Sequence, residues 1–598
     1  MRILGVFLIW AGLASAQRVD AVFDQNCASC HEIGNPAKGP DRKALRMLTP
    51  EAVYESITNG SMKDRAQSLS DAQRQAIAEY IGGRKLGTGP EGTPAGDAKG
   101  MSNRCAANPP LSDINAGPSW NGWSADGSNT RFQPSKNAGI AADDVRRLKL
   151  KWSFGLPGAT SVYGQPSVVA GRVFVAADTG YVYSLDAATG CVYWSFLADG
   201  GVRNAVSVAP VSGGQFAAFF GDQKGFEYAV NARTGEQIWK VQVDDHPLTR
   251  LTGAPKVYEN RVYVPVASGE EGTAAQPNYP CCTFRGSVAA LDASTGKQIW
   301  RTYTIPETPR VVRKSSKGVD LWGPAGGGVW NSPTIDPKRH ALYIGTGDAY
   351  TSPAGRMTDG LMALDLPTGK VLWSVQDLAA DAWLVGCPAD VTKRPENCPK
   401  DLGPDYDFGS SPILKNLPGG KSMLIAGQKS GMVWGHDPDK KGLVVWKAPT
   451  ASTAPGPGGQ IVWGGTADDQ SAYFGLRSGG ILALQLSNGE RRWFTPLDPV
   501  PALNKYPGQD AAVSSIPGAV FSGGFDGVLR ALSTSGGRVL WEYNMVHEYL
   551  TVNGVTAKGG SMGAAGPTVA GGMLFAGSGY TGPAGGMGGN VLLAFGVE

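Results

Sequence analysis

Neither sign of charge prevails in this chain. It carries 54 Lys and Arg against 51 Asp and Glu, and only 18% of its residues are charged. A net charge of +3 over 598 residues creates no field that would gather nucleic acid or hold the chain on an anionic membrane. Long apolar runs are scarce as well. The run at 3–13 is too short to span a bilayer, and no later stretch is long enough for a transmembrane helix. There is no Gly-X-Y period and no long Ser or Gln tract, which excludes collagen-like and disordered chains.

Glycine is abundant instead, at 84 residues, and so is tryptophan, at 16. Glycine with aromatics at a fixed offset points to a repeated β architecture. The chain is too long for one compact core, so a small domain plus a large closed one is expected. The N-terminus reads as an export signal: Arg2, the apolar run, then Ala14-Ser15-Ala16 as a small-residue cleavage site. The expected product starts at Gln17 and is periplasmic. Eight cysteines fit that oxidising compartment. Cys281 and Cys282 are adjacent, and Cys387 and Cys398 bracket a short Pro-rich loop that they can close. Cys105 and Cys191 remain, and their pairing would staple a linker to the domain that follows.

Residues 27–31 read Cys-Ala-Ser-Cys-His, the C-x-x-C-H spacing of covalent c-type haem attachment. Cys27 and Cys30 would add to the porphyrin vinyl groups, and His31 would be the proximal iron ligand. A methionine as sixth ligand raises the potential, and the candidates are Met47 and Met62. Met62 ends a turn-like loop after the helical 50–57 and precedes a helix with Ser70 as its N-cap, which runs to about Ile81. The stretch 17–86 resembles small class I cytochromes c, in which a Gly-x-Met loop precedes the last helix. That resemblance favours Met62 and leaves Met47 as packing. Residues 87–118 hold many Gly, Pro, Ala and Asn without periodicity and read as a linker.

A repeat dominates 119–598. Its copies at 184–194, 229–239, 290–300 and 363–373 follow Ala-x-Asp-x-x-Thr-Gly-x-x-x-Trp closely, and weaker copies end at Trp446, Trp493 and Trp541. Each copy reads as strand, tight turn, strand, with Gly supplying a positive φ in the turn. Trp152 stands alone near the start, and the last strand, 590–596, has no Trp after it. The first strand therefore completes the last blade. The expected fold is mostly β: an eight-bladed propeller closed into a ring, which leaves no free sheet edge, preceded by a small α-helical cytochrome domain.

The repeat resembles the tryptophan docking motif of pyrroloquinoline quinone (PQQ) dehydrogenases. The resemblance implies PQQ and Ca²⁺ as cofactors beside one haem c. Glu271, with Glu270 as rival, and Asp348 match the metal-ligand loops. Asp405 matches the catalytic base, and both it and Asp407 are placed to join the metal set, a pattern that leaves calcium or a lanthanide open. Trp330 matches the residue on which the quinone stacks, and Lys429 the basic residue near its oxygens. Arg203, Thr252 and Ser268 match further quinone contacts. Many relatives carry an adjacent Cys pair over the quinone in an early blade. Here Cys281-Cys282 lies later, and the expectation is that it covers the cofactor from there as a strained ring, with separate thiols as the alternative.

A haem domain ahead of the propeller, with the displaced Cys pair, resembles the polyvinyl alcohol dehydrogenases. This implies oxidation of secondary alcohols, polymeric or small, to ketones. Asp405 would take the proton, and electrons would leave through the haem to an external cytochrome c. Haem nitrite reductases share the domain order, but they need histidines around a second haem, and only His246, His340, His436 and His547 remain for that. A propeller scaffold with an electron-transfer head is the non-enzymatic reading, which the set Glu271, Asp348 and Asp405 opposes. Large insertions precede Trp373 and Trp446 and are expected to wall a groove or cap the pocket.

Overall fold

The computed structural model describes residues 19–31, 45, 50–60, 62–82, 85–86, 96–111, 113–114, 117–450, 460–497, 508–582 and 585–598. The signal segment at 1–16, Met47 and part of the 87–118 linker lie outside them. The chain forms two compact units, 1–95 and 96–598. No helix among the described residues is long and apolar enough to cross a membrane.

The first unit is helical: Val19–Asn26, Ala28–His31, Pro50–Thr58 and Asp71–Gly82, with a 3-10 turn at Lys63–Ala66. Ser70 caps the last helix reciprocally. Its hydroxyl accepts from the Gln73 backbone N–H, and the Gln73 side-chain Oε1 accepts from the Ser70 N–H. Phe23 meets Tyr80 at 6.3 Å between ring centres, which crosses the first helix over the last. Cys27 and Met62 pack against the same core as Val22, Phe23, Leu69 and Ile77. His31 is buried as well.

The second unit is an eight-bladed propeller. Blade one is Ser167–Val169, Arg172–Ala176, Tyr181–Asp186 and Val192–Leu197, paired in that order. Blades two to seven open with Ser207–Val211, Lys256–Tyr258, Thr334–Asp336, Ile413–Asn416, Thr466–Ala467 and Ser514–Ile516. Blade eight takes Thr568–Ala570, Met573–Ser578 and Val591–Val597 from the end of the chain. Its fourth strand, Leu148–Gly155, comes from the beginning, with Leu148 opposite Val597 and Gly155 opposite Val591. First strands of neighbouring blades touch from blade two round to blade eight, and Thr568–Ala570 meets Ser167–Val169 across the closure.

The repeat explains how blades stack. The Trp239 indole N–H donates to the Ala293 carbonyl of the next blade at 2.9 Å, and the same bond recurs from Trp152, Trp194, Trp300, Trp446 and Trp493. Each ring lies on the turn glycine of that blade, where a Cβ would sit within 3 Å of it. The glycine thus serves two needs, a positive φ and a flat seat. Trp541 has no such glycine ahead, because the closing blade is assembled from both ends of the chain. It packs edge-on against Phe595 at 5.4 Å.

A segment no repeat announced, 120–133, runs round the inside of the ring and touches every blade in turn. Trp120 pairs with Val168, and Asn121 exchanges two hydrogen bonds with Val208. The Asp126 carbonyl accepts from Lys256. The carbonyls of Gly127, Ser128, Thr130 and Arg131 accept from Ile335, Leu414, Ala467 and Ser515, and Gln133 donates to Val569. Residues 96–108 lie against blades one and two, held by the Cys105–Cys191 disulfide.

Candidate active site

In a four-stranded antiparallel blade, the start of the first strand and the turn between the second and third strands fall on one rim. The candidate residues come from these two places. Arg203, Trp330, Asp405, Asp407 and Trp463 precede first strands, while Ser268, Glu271, Asp348, Lys429, Arg477 and Tyr580 follow second strands. They converge on a cavity of about 480 Å³, which Thr252 also lines.

The acidic wall is tight. Ligand oxygens of Asp348, Asp405 and Asp407 lie within 4.8 Å of one another. Lys429 Nζ donates to Asp405 Oδ1 at 2.6 Å and to Asp407 Oδ2 at 3.1 Å. The Trp330 indole N–H also donates to Asp407 Oδ2, and the Asp348 N–H donates to Asp407 Oδ1. Asp348 Oδ2 is buried and has no hydrogen-bond partner. Burial pushes Glu271 up to about 8 and Asp405 up to about 6, with Lys429 opposing and the neighbouring carboxylates reinforcing both shifts. Burial and Asp407 hold Asp348 well above the usual carboxylate range. Burial disfavours the Lys429 ammonium, but Asp407, Asp405 and Glu271 outweigh it and lift its pKa. Four carboxylates share one ammonium, so a divalent oxygen-seeking cation fits this wall.

Glu270 and Glu271 have separate places. Glu271 lines the cavity. The Glu270 carboxylate points away and is fully engaged: it accepts from the Tyr279 hydroxyl and from the N–H groups of Thr283 and Phe284.

Trp330 lies on Gly409, where a Cβ would collide with its ring. Trp463 stands edge-on to it at 5.1 Å, and Lys429 Nζ sits 5.2 Å from the Trp330 ring centre. Across the cavity are Arg203 and Arg250. Arg203 stacks on Trp463 at 4.4 Å and donates to the Tyr580 hydroxyl, and its Nε is buried without a partner. Arg250 lies over Gly269, and burial beside Arg203 lowers its pKa. Neither guanidinium has an ion pair among the described residues, whereas Arg477 is neutralised by Asp510. A flat floor, two such guanidiniums and a cation wall fit a planar aromatic polyanion. Arg250, Tyr350, Trp463 and Arg477 were not foreseen, because none carries a motif of its own: Arg250 lies on the two-residue strand Thr249–Arg250 and the other three in irregular segments.

One expectation is corrected. Cys281 and Cys282 do form a disulfide, as do Cys387 and Cys398, but neither sulfur of the adjacent pair lines this cavity. Glu270 holds the loop that follows, and Trp322 exchanges two backbone bonds with the pair. The disulfide belongs to the same buried cluster as Tyr350. No histidine lines the cavity among the described residues, so the nitrite reductase reading loses its ligands.

In the helical unit Cys27 and Cys30 stand outside the three disulfides. One helical turn carries both with His31, and Met62 borders the same core. This donor set fits a covalently held haem.

Known families and proteins match this chain as follows. The family described as glucose/ethanol/alcohol dehydrogenase, β-propeller domain (PQQ), matches residues 120–392. The family described as cytochrome c oxidase, cbb3-type, subunit III, matches 14–81. A polyvinylalcohol dehydrogenase of Pseudomonas sp is 39% identical over 99% of this chain and 96% of its own length. Another, from Sphingopyxis sp., is 36% identical over 97% and 92%. The crystal structure of quinohemoprotein alcohol dehydrogenase from Comamonas testosteroni covers 80% of both chains with a TM-score of 0.59 at 19% identity, a likeness of fold.

Proposed function

The chain belongs to the polyvinyl alcohol dehydrogenases, within the PQQ-dependent alcohol dehydrogenases, and from that premise we propose that it oxidises secondary alcohol groups of polyvinyl alcohol to ketones in the periplasm and passes the electrons through haem c to an external cytochrome c. The observation that carries the reading is the meeting of Asp348, Asp405 and Asp407 beside Lys429 over the Trp330 ring.

Bound PQQ would supply the electron-pair acceptor, bound Ca²⁺ the Lewis acid, and haem c the one-electron outlet. Glu271, Asp348, Asp405 and Asp407 would hold the cation. Trp330 would provide the stacking floor for PQQ, Arg203 and Arg250 would pair with its carboxylates, and Thr252 and Ser268 would offer it hydroxyls. Lys429 anchors Asp405 through Oδ1, so the carboxylate presents Oδ2 to the substrate hydroxyl and takes its proton there. Trp383 and Val385, at the wall beside Glu271, exclude water from the carbinol carbon. Cys27, Cys30, His31 and Met62 hold the haem.

The test is reconstitution of apoprotein, with alcohol oxidation and electron delivery to cytochrome c as readouts. Activity should return only when PQQ and Ca²⁺ are both added, and a lanthanide series checks the metal. Activity without PQQ would overturn the reading. Polyvinyl alcohol assayed beside short primary and secondary alcohols separates a polymer enzyme from one for small alcohols.

A further inference from the structure

A second cavity of the propeller, at about 780 Å³, is not the one that holds the carboxylates. Two insertions wall it. One is the hairpin Arg310–Lys314 with Asp320–Gly323, between blades three and four. The other is the loop closed by Cys387–Cys398, between blades four and five. Residues 351–357, after the second strand of blade four, form a third side. All three segments lie between a fourth and a first strand or between a second and a third. They therefore share the rim that carries the active cavity.

These walls are built rather than loose. Arg313 donates to the Glu396 carbonyl, and the Ser316 N–H donates to the Glu396 carboxylate at 2.7 Å. The Asn397 amide donates to the carbonyls of Ala274, Gln276 and Tyr279, each at 2.8 Å. The groove also adjoins the active cavity directly. Tyr350 lines one and the next residue, Thr351, lines the other. Cys281 lines the groove from the far side of the same partition.

The lining mixes two chemistries. Ile305, Val312, Leu321, Trp322 and Met357 supply apolar surface, and Val312 is 60% exposed. Arg310, Arg313, Arg356 and Lys400 supply hydrogen-bond donors, against the single carboxylate of Glu307. A neutral chain of alternating methylene and hydroxyl-bearing carbons matches both, its carbons on the apolar wall and its oxygens accepting from the cations. A polyanion would match the cations but would leave charges against the apolar wall and Glu307.

Resting on the polyvinyl alcohol reading above, we infer that this groove is a second substrate subsite, which binds a stretch of the polyol chain remote from the carbon being oxidised. It makes binding depend on chain length, while the active cavity alone serves a short alcohol.

Steady-state kinetics of the holoenzyme on polyvinyl alcohol and on 2,4-pentanediol test this. Ala354→Trp fills the groove, and a double variant, Arg310→Ala with Arg356→Ala, removes donors without adding bulk. In both, KM for the polymer should rise about tenfold with kcat retained, the pattern of lost uniform binding. The diol parameters should stay within about twofold of wild type, which also shows that the variants are folded. Polymer KM should be insensitive to ionic strength, because a neutral chain has no charge to screen. Equal changes for polymer and diol, or none for either, would overturn the subsite. Competition by polyacrylate that weakens with salt would replace the polyol by an anionic polymer. Wild-type enzyme that oxidises the diol but not the polymer would sink the polymer reading, and the subsite with it.

Discussion

Asp405 and Lys429 meet at 2.6 Å inside a cavity that also holds Glu271, Asp348 and Asp407. Burial raises Asp405 to about 6 while the Lys429 ammonium opposes the rise, a poise near neutrality that suits a group taking a proton. Asp405→Asn keeps the shape and removes the basic oxygen. Alcohol oxidation should fall about 10²- to 10⁴-fold, with the haem absorption spectrum unchanged and PQQ still bound. Turnover close to wild type would remove Asp405 from the role of base. Glu270 and Glu271 show how far sequence reaches at this scale. Both fit the motif, and only the turn of the short helix Glu270–Thr273 sends one to the cavity and the other to three donors behind it.

At the scale of elements, the turn glycine and the tryptophan form one device repeated round the ring. Gly296 has φ +71°, and its Cβ position is 2.8 Å from the Trp239 ring. Gly296→Ala should destabilise the propeller by more than the roughly 1–2 kcal/mol of a left-handed alanine, because the indole must also lift from its seat. Gly296→Asn relieves part of the backbone strain but not the collision, so it should remain destabilised. Thermal melts of both variants measure this, and a wild-type Tm for Gly296→Ala would show that the ring is not seated there. The same repeat made the blade count and the closure legible, because a Trp without a preceding copy and a last strand without a Trp can only belong together. The insertions between blades follow no period, so their lengths pointed to a walled groove or a capped pocket without saying which residues would build it.

The propeller as a whole is closed twice, once by Leu148–Gly155 on Val591–Val597 and once by the inner segment that bonds to every blade. Two buried cations fasten that segment. Arg131 is 1% exposed and donates to Val513, Ser514, Trp123 and Gln165. Lys256 reaches the Asp126 carbonyl at 2.9 Å, and burial lowers its pKa to about 8. Between that value and the ordinary lysine value near 10.5, the unfolded chain binds the proton that the folded chain has released. Stability should therefore rise with pH across that window. Lys256→Met abolishes this term, so the difference in urea midpoint, wild type minus variant, should grow from pH 7.5 to pH 10. A constant difference would show that the ammonium is solvated.

The sequence by itself determined the blade repeat, the ring closure and the C-x-x-C-H turn, because each rests on local spacing: a turn needs its glycine, a stacking ring its offset, a covalent haem its two thiols. The nine expected residues that line the cavity came from the resemblance to PQQ dehydrogenases, not from spacing. Tertiary structure alone decided which of two adjacent glutamates faces the site, that Arg250 and Trp463 complete it, and that Cys281–Cys282 stays out of its lining. It also threaded 120–133 past all eight blades and joined two insertions into a groove. Those outcomes depend on contacts between segments hundreds of residues apart, which neither period nor spacing records.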